Sequence, residues 1–229
     1  MRTLILLIAL VMAASESMAQ ADFRPANFDF EEDKRRLDTL IEFPEVSGDL
    51  SVMMLCFSVI EANGKMDNTG CYLQNNYEGP FAEAVNKAAK KARLNPAIVD
   101  GKARDVYLQF RVEFIAEKDQ RDIYIYLNPG YEENVKAYGF DHIAGQRAIG
   151  RNEPWSNACP KRAQYSVLVK AFLGEDGRAA SPSVSHSSGV MPTQACQDAI
   201  KQTIIQSRYT PAMADGQPVP SSFVEPFGN

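Results

Sequence analysis

The chain repeats itself, and that repeat limits its fold more than any other feature. Phe81, Ala84, Val85, Ala88 and Ala89 recur as Cys196, Ala199, Ile200, Thr203 and Ile204. Both sets follow the i, i+3, i+4, i+7, i+8 spacing of one helix face. Pro80 and Pro192 stand near the two helix starts, where a missing N–H costs nothing. Arg93-Leu94-Asn95-Pro96-Ala97 returns as Arg208-Tyr209-Thr210-Pro211-Ala212, and Asp100-Gly101 returns as Asp215-Gly216. Upstream, Asn63-Gly64 matches Asp176-Gly177. The first copy spans about residues 49–115 and the second about 163–227.

Each copy reads as strand, turn, strand, helix, strand. In the second, Tyr165 to Leu173 runs extended to a turn at Gly174–Gly177, and a second extended run stops at Ser187-Ser188-Gly189. A helix follows from about Pro192 to Ser207, then the Asp215-Gly216 turn and a last strand. The order predicts an α+β fold of two tandem ββαβ modules, each an antiparallel sheet with one helix packed on a face. A helix covers one side of a sheet, so strands should alternate. Val167, Val169, Ala171 and Leu173 share one side, opposite Ser166, Lys170 and Phe172. In the first copy both sides are apolar, with Met54, Cys56, Ser58 and Ile60 opposing Met53, Leu55, Phe57 and Val59. A second cover, from the linker or the other repeat, is expected there.

The remaining segments divide around the repeats. Residues 20–48 form an acidic leader, either a short helix over 31–42 with Leu37, Leu40 and Ile41 inward or a poorly ordered stretch. Arg121 to Leu127 is rich in strand formers and reads as a hairpin partner of the first copy's last strand. It extends the first module to residues 49–128, leaves 129–162 as a linker with a helical turn near Glu132–Tyr138, and gives 163–229 to the second module. Trp155 and Tyr138 read as packing residues.

Residues 1–19 have the form of a cleaved secretory signal: Arg2, an apolar run from Leu4 to Ala14, then Ser17-Met18-Ala19. The alternative is an uncleaved anchor, but a span needs about 20 apolar residues and Ser15-Glu16-Ser17 interrupts sooner. The net charge of −5 argues against a nucleic-acid partner, which needs a basic footprint.

An exported chain with four cysteines points to disulfides, with three pairings open in principle. Asn63-Gly64 suits a two-residue hairpin loop. Counting seven residues outward from each side reaches Cys56 and Cys71, opposite each other on a hydrogen-bonded pair with Cα atoms about 5.5 Å apart. The matching residues of the second copy are Val169 and Val184. Cys159 precedes the second copy and Cys196 lies on its helix, so pairing them would pin the incoming chain to that helix. A metal site is disfavoured: there is no Cys-x-x-Cys, and only His142 and His186 could assist.

Catalytic signatures are missing from the sequence. It has no Gly-x-Ser-x-Gly, no His-Glu-x-x-His and no phosphate-binding loop. Ser185-His186 places its side chains on opposite faces of a strand. Asp141-His142 has no partner visible in sequence, and Arg93 and Arg208 are expected to serve their helix C-termini. No enzyme activity and no cofactor are expected.

The second copy resembles the C-terminal domain of TonB and its relatives. The resemblance rests on the strand broken at Asp176-Gly177, on Ser187-Ser188-Gly189 and on the helix ending in Arg208-Tyr209-Thr210-Pro211-Ala212. Asp215-Gly216-Gln217-Pro218-Val219 and the close on Pro226-Phe227 complete it. The first copy is looser: Gln74-Asn75-Asn76 replaces Ser-Ser-Gly, Leu94 the aromatic residue, and Lys102-Ala103 the x-Pro step. The resemblance implies a periplasmic, non-catalytic protein that adds a segment of a TonB-dependent outer-membrane transporter to its sheet as an extra strand. The implied edge is the last strand, with Val219, Ser221, Ser222, Phe223 and Val224 as binding residues. Pro218, Pro220 and Pro226 share one parity and should face outward, leaving Ser222 and Val224 as the main donors there. Protection of the edge against aggregation is the equal alternative. The transducer of this family carries an embedded helix and a Pro-rich spacer; the 13 prolines here form no spacer. A soluble tandem relative is therefore expected, with an anchored transducer as the competing reading and a periplasmic enzyme as a distant third.

Overall fold

The computed structural model describes residues 23–29, 33–161 and 165–228. The expected signal segment, 1–19, lies outside the described residues. The protein is α+β, mostly antiparallel sheet with short helices. No helix among the described residues is long and apolar enough to cross a membrane.

The leader contributes to the first core. After a 3-10 turn at Asp33–Arg35 comes α1, Leu37–Leu40. Leu37 and Ile41 are buried, Phe43 meets Phe114 edge-on at 5.5 Å, and Phe28 meets Phe110 at 5.6 Å. The first module follows: β1 (Leu50–Ile60), β2 (Met66–Cys71), α2 (Gly79–Ala89), β3 (Ala97–Val99), β4 (Lys102–Arg104), β5 (Val106–Glu117) and β6 (Gln120–Tyr126). β1 pairs with β2 and β5, and β5 pairs with β6 through Glu117↔Gln120 to Arg111↔Tyr126. α2 buries Phe81, Val85, Ala88 and Ala89 against the inner face formed by Met54, Cys56, Phe110 and Phe114.

Next come α3 (Glu132–Tyr138), β7 (Gln146–Ala148) and α4 (Pro154–Ala158). The second module holds β8 (Tyr165–Leu173), β9 (Ala179–Gly189), α5 (Gln194–Gln206), β10 (Tyr209–Thr210), β11 (Ala212–Ala214), β12 (Gln217–Val219) and β13 (Ser221–Gly228). Its sheet runs β13-β8-β9. α5 starts at Thr193, whose hydroxyl accepts from Cys196 N at 3.4 Å. All five residues of the expected face, Cys196, Ala199, Ile200, Thr203 and Ile204, are buried. A second core of Tyr165, Val167, Val169, Leu173, Tyr209, Phe223 and Phe227 lies beneath it.

The repeat extends to backbone detail. Gly64 N bonds Glu61 O at 2.8 Å, and Gly177 N bonds Gly174 O at 3.1 Å. Asn63 Oδ1 accepts from Lys65 N as Asp176 Oδ1 accepts from Arg178 N. Both hairpins carry a bulge at matching places, marked by left-handed Asn68 (φ 48°) and Ser181 (φ 52°). Asp100 (φ 51°) and Asp215 (φ 50°) also correspond.

These details correct the hairpin geometry. The loop is Ala62-Asn63-Gly64, one residue longer than a two-residue turn, because Glu61 N bonds Lys65 O at 2.9 Å. The bulge adds one residue to β2 and restores Cys56↔Cys71. Tyr72 N bonds Leu55 O at 2.9 Å, so Leu55 and Tyr72 are the hydrogen-bonded neighbours and the cysteines a non-hydrogen-bonded pair. Their Cα atoms are 4.0 Å apart, closer than the expected spacing. Val169↔Val184 occupy the same place in the second copy. The other disulfide joins Cys159 to Cys196 and ties the end of α4 to α5. Two disulfides suit an oxidising compartment outside the cytoplasm.

β7 belongs to both copies' surroundings. It pairs with β5 through Val106↔Ala148 and with β10 through Thr210↔Gln146, so the first sheet continues into the second module. The second face of the first sheet is partly covered, by the linker. The Arg111 guanidinium lies 4.9 Å from the Phe140 ring and 5.1 Å from the Tyr126 ring, while Met53 stays 39% exposed.

Candidate functional site

β13 runs along the border of the three-stranded sheet. It pairs with β8 from Ser221↔Leu173 to Gly228↔Ser166. Ser221, Phe223, Glu225 and Phe227 are buried beneath α5, and Ser222, Val224 and Pro226 take the other parity. Ser222 turns its backbone away from β8 and bonds outward, as expected of a residue with the parity of the prolines. Val219 and Pro218 lie instead on β12, paired with Ala212 and Met213, so these two are not part of this border.

The border is not bare: at Ser222 the expected free donor is taken, and at Val224 the carbonyl is met. α3 lies against it. Ser222 N donates to Asn134 Oδ1 at 2.9 Å, and Asn134 Nδ2 donates to Ser222 O at 2.8 Å. Tyr138 Oη donates to Pro220 O at 2.7 Å, and Tyr131 Oη lies 3.1 Å from Val224 O. The Ser222 hydroxyl donates to Glu133 Oε2 at 2.5 Å, and Lys170 donates to Glu133 Oε1 at 2.7 Å. Hydrogen bonds from Lys170 and Ser222 hold the Glu133 carboxyl below its ordinary value. Tyr138 therefore does more than pack. The signal available in the sequence was the spacing Tyr131, Asn134, Tyr138 on one face of a short helix.

Three amide side chains keep the linker in place. Asn128 donates to Phe140 O at 2.7 Å and to His142 O at 3.0 Å, closing the base of the loop that carries α3. Its Oδ1 accepts from Arg111 at 2.9 Å. Gln146 bonds both N and O of Ala26, at 2.8 and 2.9 Å, as Asn134 bonds Ser222. A carboxamide has the same donor and acceptor as a peptide unit, so Gln146 and Asn134 each imitate a neighbouring strand.

Behind β13 lies a buried ion cluster. Arg147 of β7 makes two 2.7 Å bonds to Glu225 and a further bond to Glu153. Trp155 Nε1 donates to Glu153 Oε2 at 2.7 Å. Burial opposes the Arg147 charge, but Glu225 and Glu153 more than offset it and hold the guanidinium charged. Burial pushes the Glu225 carboxyl up, against the pull of Arg147.

The other expected residues are scattered. His142 is buried, with Nδ1 2.6 Å from Gly139 O, and His186 is exposed on β9. No group of three His, Cys, Asp or Glu that could hold a metal occurs among the described residues. Arg93 donates to the carbonyl of the residue before it, Ala92, which lies past the end of α2 at Ala89. Arg208 does not serve its helix; it reaches Asp100 of the first module at 2.9 and 3.2 Å, because β7 brings the two copies together. A cavity of about 290 Å³ beside this pair is lined by Asp100, Arg104, Glu153 and Ser207 among others, with no histidine or cysteine. No protein-family model, no curated protein and no solved structure matches the chain.

Proposed function

We propose that this is a non-catalytic periplasmic protein, similar to the C-terminal domain of TonB, that takes an extended segment of another protein as an added strand along β13. The segment would come from a TonB-dependent outer-membrane transporter. The observation that carries the reading is the double bond-pair between the Asn134 carboxamide and Ser222 N and O, at 2.9 and 2.8 Å. A border that already binds a peptide-like group at both positions has the donor and acceptor geometry of strand addition. The corresponding border of the first copy is engaged by the main chains of β6 and β7 instead.

Selection of a random displayed peptide library on the full mature chain tests this. Selected peptides should bind the wild type and lose binding to Val224→Pro, which removes a main-chain N–H from that border. Equal binding to both would refute the β13 site.

A further inference from the structure

We propose that α3 is an exchangeable internal occupant of the β13 border: it holds the border closed and has to swing away before a partner strand can pair. This rests on the strand-addition reading above and names how that site is controlled.

The helical segment and the strand meet in register. Tyr131, Asn134 and Tyr138 meet Val224, Ser222 and Pro220 in that order, so the segment runs antiparallel to β13. Helical steps of three and four residues advance about 4.5 and 6 Å. Two residues of strand advance about 6.6 Å. The helix face therefore supplies a polar tip near every second residue, which is the spacing a neighbouring strand would offer.

The segment is also held lightly. Asn134 is the only buried residue of α3, and none of α3 belongs to either apolar core. Its hold on β13 consists of side-chain tips, each a modest net contribution in water. The base of the loop is fixed independently of α3. Buried Asn128 bonds Phe140 O and His142 O, and His142 itself is buried. Release of 129–139 therefore needs no disruption of either core, which is the signature of a local opening unit. The first copy shows what main-chain closure looks like, with β7 laddered to β5 at Val106 and Tyr107 and β6 laddered to it from Arg111 to Glu117.

The test reads the amide hydrogen exchange of Ser222 in the mature chain. Asn134→Ala removes its acceptor directly. Tyr138→Phe removes only the bond to Pro220 O and keeps its ring beside His142. If α3 leaves as one unit, Tyr138→Phe speeds Ser222 exchange by about five- to tenfold while β8 amides stay unchanged. Ser222 exchange equal to wild type in Tyr138→Phe would overturn the proposal. A peptide selected as above should also bind Asn134→Ala more tightly than wild type by a similar factor, because the competent fraction rises. Unchanged affinity beside faster exchange would equally overturn it. Should selection yield no peptide at all, the strand-addition reading falls, and the exchange data alone decide whether α3 moves as a unit.

Discussion

The two copies share a backbone plan and differ in what closes it. At one ladder position the first copy has Phe110 facing its core, and the second has Glu225, paired with Val169 where Phe110 pairs with Cys56. At another the first copy has a disulfide and the second a pair of valines. Along the outer side of the last strand, the first has two further strands and the second has one helix of side chains. The ββαβ plan thus tolerates apolar, covalent or ionic ties at equivalent sites, provided each buried polar group finds its partner.

The two copies differ most in energy at the buried ion cluster. Arg147→Met should cost about 3–5 kcal/mol in chemical denaturation, because it strands Glu225 and Glu153 without a cation. Adding Glu225→Leu, which makes the position apolar as in the first copy, should recover most of that loss. No recovery would mean that the two positions are not interchangeable.

The next effect is covalent. Replacing Cys56 and Cys71 together by valine copies the second module into the first. The change should cost roughly 3 kcal/mol, the chain-entropy value for a loop of this length, since the valines keep the packing. A much larger loss would show that the first hairpin lacks the apolar support that Val169 and Val184 receive.

The hairpin glycines should behave alike. Gly64 and Gly177 both have positive φ, and a Cβ would fall on the carbonyl oxygen of Leu94 and of Tyr209 respectively. Each glycine carbonyl accepts from the same residue's N–H, at 2.9 and 3.1 Å. Alanine at either should cost about 2 kcal/mol, combining an unfavourable left-handed residue with a backbone displacement. Unequal losses would expose a difference between the copies that their backbones conceal.

The smallest effect is a pH dependence confined to the second copy. Glu133 is held below its ordinary value, so its contacts to Lys170 and Ser222 are intact above that value, about 4.3, and are lost as pH falls through the depressed one. Ser222 amide exchange, corrected for the intrinsic pH dependence, should therefore rise on acidification below that range, and Glu133→Gln should flatten the response. The β5 amides of the first copy, closed by β6, should show no such step.

Much of the module plan was legible because it rests on local chemistry. The helix faces follow apolar spacing, and the turns follow Asn-Gly and Asp-Gly. The partner strand β6 follows its β-branched and aromatic content. The cysteine register was reached by two compensating single-residue differences, since a bulge at Asn68 leaves no signature as plain as a glycine turn. What the sequence hid was long-range. Nothing near Arg147 signals that it will meet Glu225, 78 residues on. Asn134 looks like any polar residue on a short helix until β13 lies beside it.

β7 has a consequence for anyone who would divide the molecule. A cut before residue 163 leaves the second copy without Arg147, and Glu225 then sits in an apolar interior with no cation to meet it. A cut before residue 146 keeps that cation but strips a strand from β5, exposing main-chain groups around Val106 and Tyr107. The molecule behaves like two rooms sharing one wall: whichever room keeps the wall, the other stands open to the weather.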